Sequence, residues 1–164
     1  MGRGRKITAI IAIMAAIAVI YVAASFAGSA QQSMSAFAVN GNTYRISAYA
    51  YTQSQQEKGL MNSTVTNSTF MLFYFGKHGI YPFWMKDTYS QLDIIWLNYS
   101  AATHIARVVY MVNATPCIDY DKSQANCAVY IPTAYSNYVL ETKSGFVNSE
   151  NISTGTELRF IGGS

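Results

Sequence analysis

Residues 92–112 have the sequence Leu-Asp-Ile-Ile-Trp-Leu-Asn-Tyr-Ser-Ala-Ala-Thr-His-Ile-Ala-Arg-Val-Val-Tyr-Met-Val. Two runs rich in β-branched and aromatic residues, 92–97 and 104–112, flank a short segment of polar and small residues at 98–102. Runs of this composition and length are typical of β-strands, and the short segment between them favours an antiparallel hairpin. This stretch therefore predicts two paired strands, around which the rest of the fold has to form.

More strands are predicted on both sides of this hairpin. Residues 70–75 (Phe-Met-Leu-Phe-Tyr-Phe) are apolar throughout, which favours a central strand that is buried on both faces. Asn40-Gly41-Asn42 favours a tight turn, because asparagine and glycine tolerate the positive φ angles that such a turn requires. The remaining predicted strands lie at 36–39, 43–51, 138–142 and 157–161.

Two short helices are predicted between the strands. The segment from Ser54 to Glu57 has the capping-box pattern that begins a helix, and Gly59 is expected to end it. A second helix of one or two turns is predicted within 144–151. Many short strands separated by turns indicate a mainly β domain, either a small sandwich of jelly-roll type or a barrel.

The amino-terminal part of the chain predicts a segment that directs the protein to a membrane. Arg3, Arg5 and Lys6 precede residues 7–27, a run of 21 residues without a charge. As a helix this run would be about 32 Å long, which matches the core of a bilayer. The basic tail at 1–6 favours the cytoplasmic side, so the domain at 37–164 is expected outside the cell.

Two interpretations of the apolar run stay open. An uncleaved anchor would make the chain a single-pass membrane protein, with residues 28–36 as a flexible tether. A signal peptide cleaved after the small residues at 25–27 or 28–30 would release a secreted domain. The run is longer than a usual signal core, which favours the anchor.

Glycosylation sequons also favour an exterior location. Five of the ten asparagines stand in the Asn-x-Ser/Thr pattern, more than chance would supply. An alternative is that a surface rich in Ser, Thr and Asn contains these sequons by accident. The predicted glycan acceptors are Asn62, Asn67, Asn98, Asn113 and Asn151.

The two cysteines predict a disulfide. Cys117 and Cys127 flank a polar segment, and outside the cytoplasm such a pair is expected to be oxidised. A metal site would need further Cys or His ligands nearby, and the two histidines, His78 and His104, are not spaced to supply them. We therefore expect no metal and no cofactor.

Composition excludes two classes of protein. Aromatic residues make up 14% of the chain and charged residues only 12%, about half the usual share, which excludes a disordered chain. Residues 31–164 hold eight Lys/Arg and eight Asp/Glu, so the outer domain is neutral. Because binding to nucleic acid relies on a basic face, we expect no nucleic-acid partner.

Several blocks of the chain resemble the family called domain of unknown function 192. The resemblance covers roughly 37–161 and rests on blocks that occur in the family's order. These blocks are Gly59-Leu60-Met61, Met71-Leu72-Phe73, Phe83-Trp84-Met85-Lys86-Asp87-Thr88, Leu92-Asp93-Ile94-Ile95, Tyr138-Val139-Leu140-Glu141 and Ser144-Gly145-Phe146.

The resemblance implies a compact, mainly β domain of sandwich or jelly-roll type, often preceded by an export or membrane segment. It also implies a Cys pair before the Tyr-Val-Leu-Glu block. It implies no activity, since none is established for the family. Two departures are visible: Gln55 and Gln56 stand where an acid–arginine pair is usual, and Asp87 stands where Asn is usual.

The candidate site residues are charges in apolar surroundings. Lys86 follows Phe83-Trp84-Met85, and Asp93 lies between Leu92 and Ile94. Because buried charges are normally paired, the two side chains could form a structural ion pair, or bond backbone groups. Alternatively, Lys86, Trp84, Met85 and Asp93 could line a pocket for an anionic or sugar-like ligand.

Two functions from different classes follow. The preferred one is a non-catalytic, membrane-tethered module that binds a surface glycan or an envelope protein. The alternative is an extracytoplasmic hydrolase of glycans or peptides, with Asp93 and Glu141 as acid and base, which requires the two carboxyl groups to share one cleft. A structural domain of the cell envelope is a further alternative. The oligomeric state is not indicated.

Overall fold

The computed structural model describes residues 34–118 and 127–162. The helices are α1 (Gln53–Lys58) and α2 (Phe146–Ser149). The strands are β1 (Met34–Val39), β2 (Asn42–Arg45), β3 (Ala48–Ala50), β4 (Phe70–Gly79), β5 (Phe83–Trp84), β6 (Leu92–Ser100), β7 (Ile105–Ala114), β8 (Val129–Tyr130), β9 (Ser136–Lys143) and β10 (Glu157–Gly162).

Eight of these strands form one sheet in the order β2-β1-β10-β7-β6-β9-β4-β3, curled into a half-barrel. All neighbours are antiparallel except β3 and β4, which are parallel. The short strands β5 and β8 form a separate two-stranded sheet. The mainly β class with two short helices is confirmed; of the two predicted architectures, a sandwich of jelly-roll type or a barrel, the sheet forms neither in full but curls into half of a barrel.

The hairpin that the sequence predicts at 92–112 lies in the middle of the sheet. It consists of β6 and β7, and β6 also pairs with β9. Side chains of β6 alternate between two cores: Ile95 and Leu97 belong to the first, whereas Leu92, Ile94 and Trp96 belong to the second. The sheet is therefore buried on both of its faces here.

The second core is covered by irregular chain rather than by strands of the main sheet. Leu60 and Val65, which follow α1, and Phe83 and Met85, on and just after β5, pack onto this face of the sheet. The first core lies on the other face and includes residues of β1 and β10. The segments that follow α1 and contain β5 thus form an outer layer, and the candidate site lies in this layer.

The strand β4 agrees with its prediction in burial but not in position. Phe70 and Leu72 face the first core, and Met71 and Phe73 face the second, so all four are buried. The strand is next to the edge, because only the three residues of β3 lie beyond it. The apolar run at 70–75 therefore indicates burial on both faces, because the outer layer covers the second face. It does not indicate a central position in the sheet.

The predicted turn at Asn40-Gly41 is confirmed, since both residues have positive φ angles of 49° and 87°. The predicted single strand at 43–51 is wrong, because the chain divides into β2 and β3 at opposite edges of the sheet. Between them, the backbone N–H of Ile46 donates to the carbonyl of Ser35, and the N–H of Ser47 donates to that of Phe70.

The boundaries of two other elements also differ from their predictions. Helix α1 is capped by Thr52 rather than Ser54: the Thr52 hydroxyl accepts from the Gln55 N–H, and the Gln55 side chain accepts from the Thr52 N–H. Strand β1 begins at Met34, inside the stretch predicted as tether, because residues 34–38 pair with β10.

The predicted tail at 1–6 and apolar run at 7–27 lie outside the described residues, as does most of the tether. Among residues 34–118 and 127–162, no helix is long and apolar enough to cross a membrane.

Candidate functional site

The segment that carries Trp84 and Lys86 is held against the domain by backbone bonds. Lys86 and Thr88 form β-bridges with Cys117, and the carbonyl of Asp87 accepts from the N–H of Asn62 at 2.8 Å. Side chains alternate along this segment: Trp84 is 37% exposed, whereas Met85 is 1% exposed. Met85, predicted to line a ligand pocket, is instead part of the second core.

The Lys86 side chain lies over the Trp84 ring, with its Nζ 5.5 Å from the ring centroid. An ammonium at this distance is attracted to the negative face of the indole ring. No salt bridge joins Lys86 to Asp93 among the described residues. The predicted ion pair is therefore absent, and Lys86 is oriented by an aromatic ring.

A groove of about 840 Å³ lies between this segment and α1. We call it the Trp84 groove. It is lined by Ser54, Glu57, Lys58, Met61, Asn62, Ser63, Trp84 and Lys86. Its lining contains two cations, Lys58 and Lys86, and one carboxylate, Glu57, so the groove carries a net positive charge. It also offers an indole ring and several hydroxyl and amide groups.

The sequence predicted only Trp84 and Lys86 among these lining residues. Lys58 and Ser63 were not singled out and Asn62 was singled out only as a glycan acceptor, although all three flank the Gly59-Leu60-Met61 block. The block itself was the available signal, because Gly59 ends α1 and turns the chain from the helix into the outer layer. Gly59 has φ 45° and ψ −133°, a conformation that glycine adopts readily and other residues do not.

Asp93 is buried and bonded to the backbone. Its Oδ2 accepts from the N–H groups of Gly145 and Val147 at 3.0 and 2.9 Å, and its Oδ1 accepts from Asn113 Nδ2 at 2.6 Å. The carboxylate therefore fixes the turn that leads into α2. It does not line the Trp84 groove, which corrects its predicted role in orienting a ligand there.

Glu141 is buried on the opposite face of the sheet. It pairs with Met71 of β4 and Ile94 of β6, and its Oε2 makes no hydrogen bond with any described residue. This oxygen lies 3.6 Å from the point that a Cβ on residue 59 would occupy, directly under the turn that ends α1. Burial raises the pKa of the Glu141 carboxyl to about 8, because water no longer solvates its charged form.

The two carboxyl groups cannot act as an acid–base pair. In the register of β6 and β9, Asp93 is opposite Thr142 and Ile94 is opposite Glu141. Neighbouring residues of a strand point to opposite faces, so Asp93 and Glu141 lie on different sides of the sheet. The hydrolase alternative built on this pair is therefore wrong.

A third buried acid, which the sequence did not reveal, lies beside α2. Glu150 accepts hydrogen bonds from the Tyr44 hydroxyl and from Asn42 Nδ2. The bond from Tyr44, followed by that from Asn42, lowers the pKa of Glu150, and the same bond to Glu150 raises the pKa of Tyr44 to about 12. These contacts join the β1–β2 hairpin to the end of α2 and are structural.

The two histidines are engaged in local contacts. His78 Nε2 is 2.8 Å from Asn98 Oδ1, and His104 Nδ1 is 3.2 Å from the Tyr99 hydroxyl. Neither contact involves a carboxylate.

The predicted disulfide between Cys117 and Cys127 is present, with the two Cα atoms 5.6 Å apart. It fixes the segment around Cys117, the residue with which Lys86 and Thr88 form β-bridges.

The five sequon asparagines are all exposed. They differ in what their side chains do. Asn62 lines the Trp84 groove and accepts a hydrogen bond from the Tyr89 hydroxyl at 2.5 Å. Asn113 Nδ2, the atom that would carry a glycan, donates to both Asp93 and Ser144.

We expect Asn113 to be the least occupied of the five sequons when the full chain is made in a host that glycosylates Asn-x-Ser/Thr. A glycan on Nδ2 would leave one N–H where two hydrogen bonds are now made, and one of these bonds reaches a buried carboxylate. Glycopeptide mass spectrometry gives the occupancy of each site. Occupancy at Asn113 equal to that at Asn67 or Asn151 would show that these bonds do not protect it.

Comparison with known proteins identifies relatives without an established activity. The family model DUF192, described as "Uncharacterized ACR", matches residues 36–160. Comparison with curated proteins found no match.

Two solved structures share the fold. One is from Sinorhizobium meliloti 1021 and is described as a candidate transcription regulator: it is 27% identical, with a TM-score of 0.60, over 76% of this chain and 90% of that chain. Another, from Novosphingobium aromaticivorans DSM 12444, is described as a protein of unknown function: it is 23% identical, with a TM-score of 0.59, over 75% of this chain and 82% of that chain.

Proposed function

This chain belongs to the DUF192 family, and from that premise we propose that it is a non-catalytic binding module, tethered to the outer face of a membrane, that recognises an acidic sugar at the Trp84 groove. The single observation that carries this proposal is the composition of the groove, whose lining includes an indole ring and two lysines. The amino-terminal apolar run at 7–27 supports the tether, and the disulfide supports a location outside the cytoplasm.

The lining of the groove matches the chemistry of an acidic sugar. Lys58 and Lys86 can bind a carboxylate, sulfate or phosphate group on the sugar. The part of the Trp84 ring that is exposed offers an apolar surface to the C–H groups of a sugar ring. Ser54 and Ser63 offer hydroxyl groups that can bond sugar hydroxyls.

The description of the Sinorhizobium protein as a candidate regulator of transcription does not extend to this proposal. Residues 31–164 hold equal numbers of basic and acidic side chains, so the domain lacks the charge that binding to a phosphate backbone requires.

The test is a binding measurement with oligosaccharides that contain glucuronic acid and with neutral oligosaccharides of the same length. We expect the full chain in mild detergent to prefer the acidic set, and Lys86→Gln to weaken that binding by about tenfold, the cost of one charge-assisted hydrogen bond. Lys143→Gln is the matched control, because Lys143 is exposed on a different part of the surface.

Two results would contradict the proposal. One is equal binding of the acidic and neutral sets. The other is an equal effect of Lys86→Gln and Lys143→Gln on the acidic set, which would mean that net charge and not the groove determines binding. If no sugar of either set binds, the structural role in the envelope becomes the better explanation.

A further inference from the structure

Seven segments of the described chain meet at one end of the half-barrel. In the register of the sheet, the start of β1 is next to the ends of β2 and β10. Following the pairs across the sheet, the ends of β4 and β3 lie at this same end. We call this end the Met34 rim. It consists of Met34, Arg45, Tyr51, 74–80, 100–105, 135–138 and 161–162.

The Met34 rim exposes large apolar side chains. The exposed fractions are 66% for Tyr135, 40% for Tyr51, 40% for Ile161 and 39% for Ile80. Single exposed apolar residues are common on soluble proteins and need no explanation. Four of them around one rim, two of them tyrosines, have the composition of a surface that meets the interface of a bilayer.

Aromatic contacts place Tyr51 at the same end of the half-barrel as Tyr74 and Tyr138. Tyr51 stacks on Tyr49 and makes an edge contact with Tyr74, and Tyr74 in turn packs against Tyr138. The Tyr49 hydroxyl donates to the carbonyl of Met34 at 2.6 Å. The line of tyrosines therefore runs from the first described residue of the chain across the rim.

Charge on the Met34 rim has one sign. Arg45 and Lys77 are exposed there, and none of the acidic residues of the described chain lies in the segments of the rim. The buried acids Asp93 and Glu150 lie towards the opposite end, where β6 begins and α2 ends. Lys and Arg near a membrane surface are attracted to anionic lipid headgroups, by about 1 kcal/mol each.

The number of residues between the predicted anchor and Met34 limits how far this rim can lie from the end of the apolar run. Met34 begins β1 at the rim, and the apolar run ends at Ala27. Six residues, 28–33, lie between the two, and an extended chain covers at most about 25 Å over the seven steps from Ala27 to Met34. A domain held by so short a connection keeps the rim within reach of the headgroup layer.

We propose that the Met34 rim rests on the lipid surface, with Tyr51, Ile80, Tyr135 and Ile161 in the headgroup layer and Arg45 and Lys77 bound to anionic lipids. This inference rests on the membrane tether of the proposed function. It fixes the orientation of the domain, since the opposite end, which carries α2, then faces away from the membrane.

The test uses the full chain reconstituted in vesicles of phosphatidylcholine, with and without phosphatidylglycerol. One cysteine is introduced at a time and labelled with an environment-sensitive fluorophore, while the native disulfide stays oxidised. Tyr135→Cys and Ile80→Cys probe the rim, and Asn148→Cys is the control, because Asn148 is exposed on α2. A spin-labelled lipid serves as the quencher.

We expect the quencher to reduce fluorescence at the two rim positions at least about twofold more than at Asn148→Cys, and more strongly when phosphatidylglycerol is present. Flotation of the vesicles at high salt tests the tether separately. A chain that does not float overturns the tether and the rim together. A chain that floats, but is quenched equally at all three positions, overturns the rim alone.

Discussion

The free energy of unfolding is expected to fall by about 1.4 kcal/mol for each pH unit between pH 4.5 and about 8, and Glu141→Gln is expected to remove most of this slope. Burial raises the pKa of Glu141 from 4.5 to about 8, so between these values the folded chain holds a proton that the unfolded chain has released. Raising the pH then favours the unfolded chain. The full loss, reached above pH 8, is about 5 kcal/mol.

Other perturbed groups act outside this range of pH. The pKa of Glu150 is lowered, so its contribution is present above its unfolded value near 4.5 and is lost on acidification. The pKa of Tyr44 is raised to about 12, so its contribution is present below pH 10 and is lost as the pH rises through about 12. Between pH 5 and 9, Glu141 is the group expected to dominate the slope.

Urea unfolding of the full chain in mild detergent, followed at several pH values from 5.5 to 9, measures the effect. Glu57→Gln is the matched control, because it removes an exposed carboxylate from α1 and should leave the slope as it is. By the same slope, Glu141→Gln should be more stable than the parent chain by about 1.4 kcal/mol at pH 5.5 and by about 5 kcal/mol at pH 9. Parallel slopes for all three chains would show that the Glu141 carboxyl is solvated.

The second large effect is expected for Asp93→Ala, which should destabilise the chain by about 4 kcal/mol. The substitution removes three hydrogen bonds of a buried carboxylate at once and leaves the N–H groups of Gly145 and Val147 without this acceptor. It also removes the link from β6 to α2. We expect a lower unfolding midpoint at neutral pH, with the m-value unchanged.

Lys86→Ala provides the contrast. Lys86 makes no ion pair with Asp93, and its contact with Trp84 is at the surface, so the change should cost less than about 1 kcal/mol. The double variant should be additive, because the two side chains share no partner. Strong non-additivity of the two changes in unfolding free energy would show that Lys86 and Asp93 do interact, as the sequence suggested. If Asp93→Ala leaves the chain stable, water must bond the N–H groups that the carboxylate binds.

Much of the fold was predictable, because it rests on local patterns. The hairpin at 92–112 and the turn at Asn40-Gly41 follow from composition and from the φ angles that Asn and Gly tolerate. The division of 43–51 into β2 and β3 could not be predicted. It depends on hydrogen bonds from Ile46 and Ser47 to residues 11 and 23 positions away, which no local pattern reveals.

The candidate site was predictable in part. Charges in apolar surroundings drew attention to Lys86 and Asp93, but sequence alone could not tell which of them faces solvent. Nor could it tell that Asp93 and Glu141 face opposite sides of the sheet, because this depends on the register of β6 and β9, in which Ile94 and not Asp93 is opposite Glu141. Lys58 and Asn62 join the groove because the chain turns at Gly59, between them, from α1 into the outer layer.

The pairing of β1 with β10 has a consequence for how the chain is made. Residues 34–38 find their partners at 159–162, so the first strand of the domain waits for the last one to be synthesised. Contacts this distant in sequence close late and slow the folding of the whole sheet. If the domain is exported as we propose, a chain in that state is still unfolded and can pass through a secretion channel before the half-barrel closes.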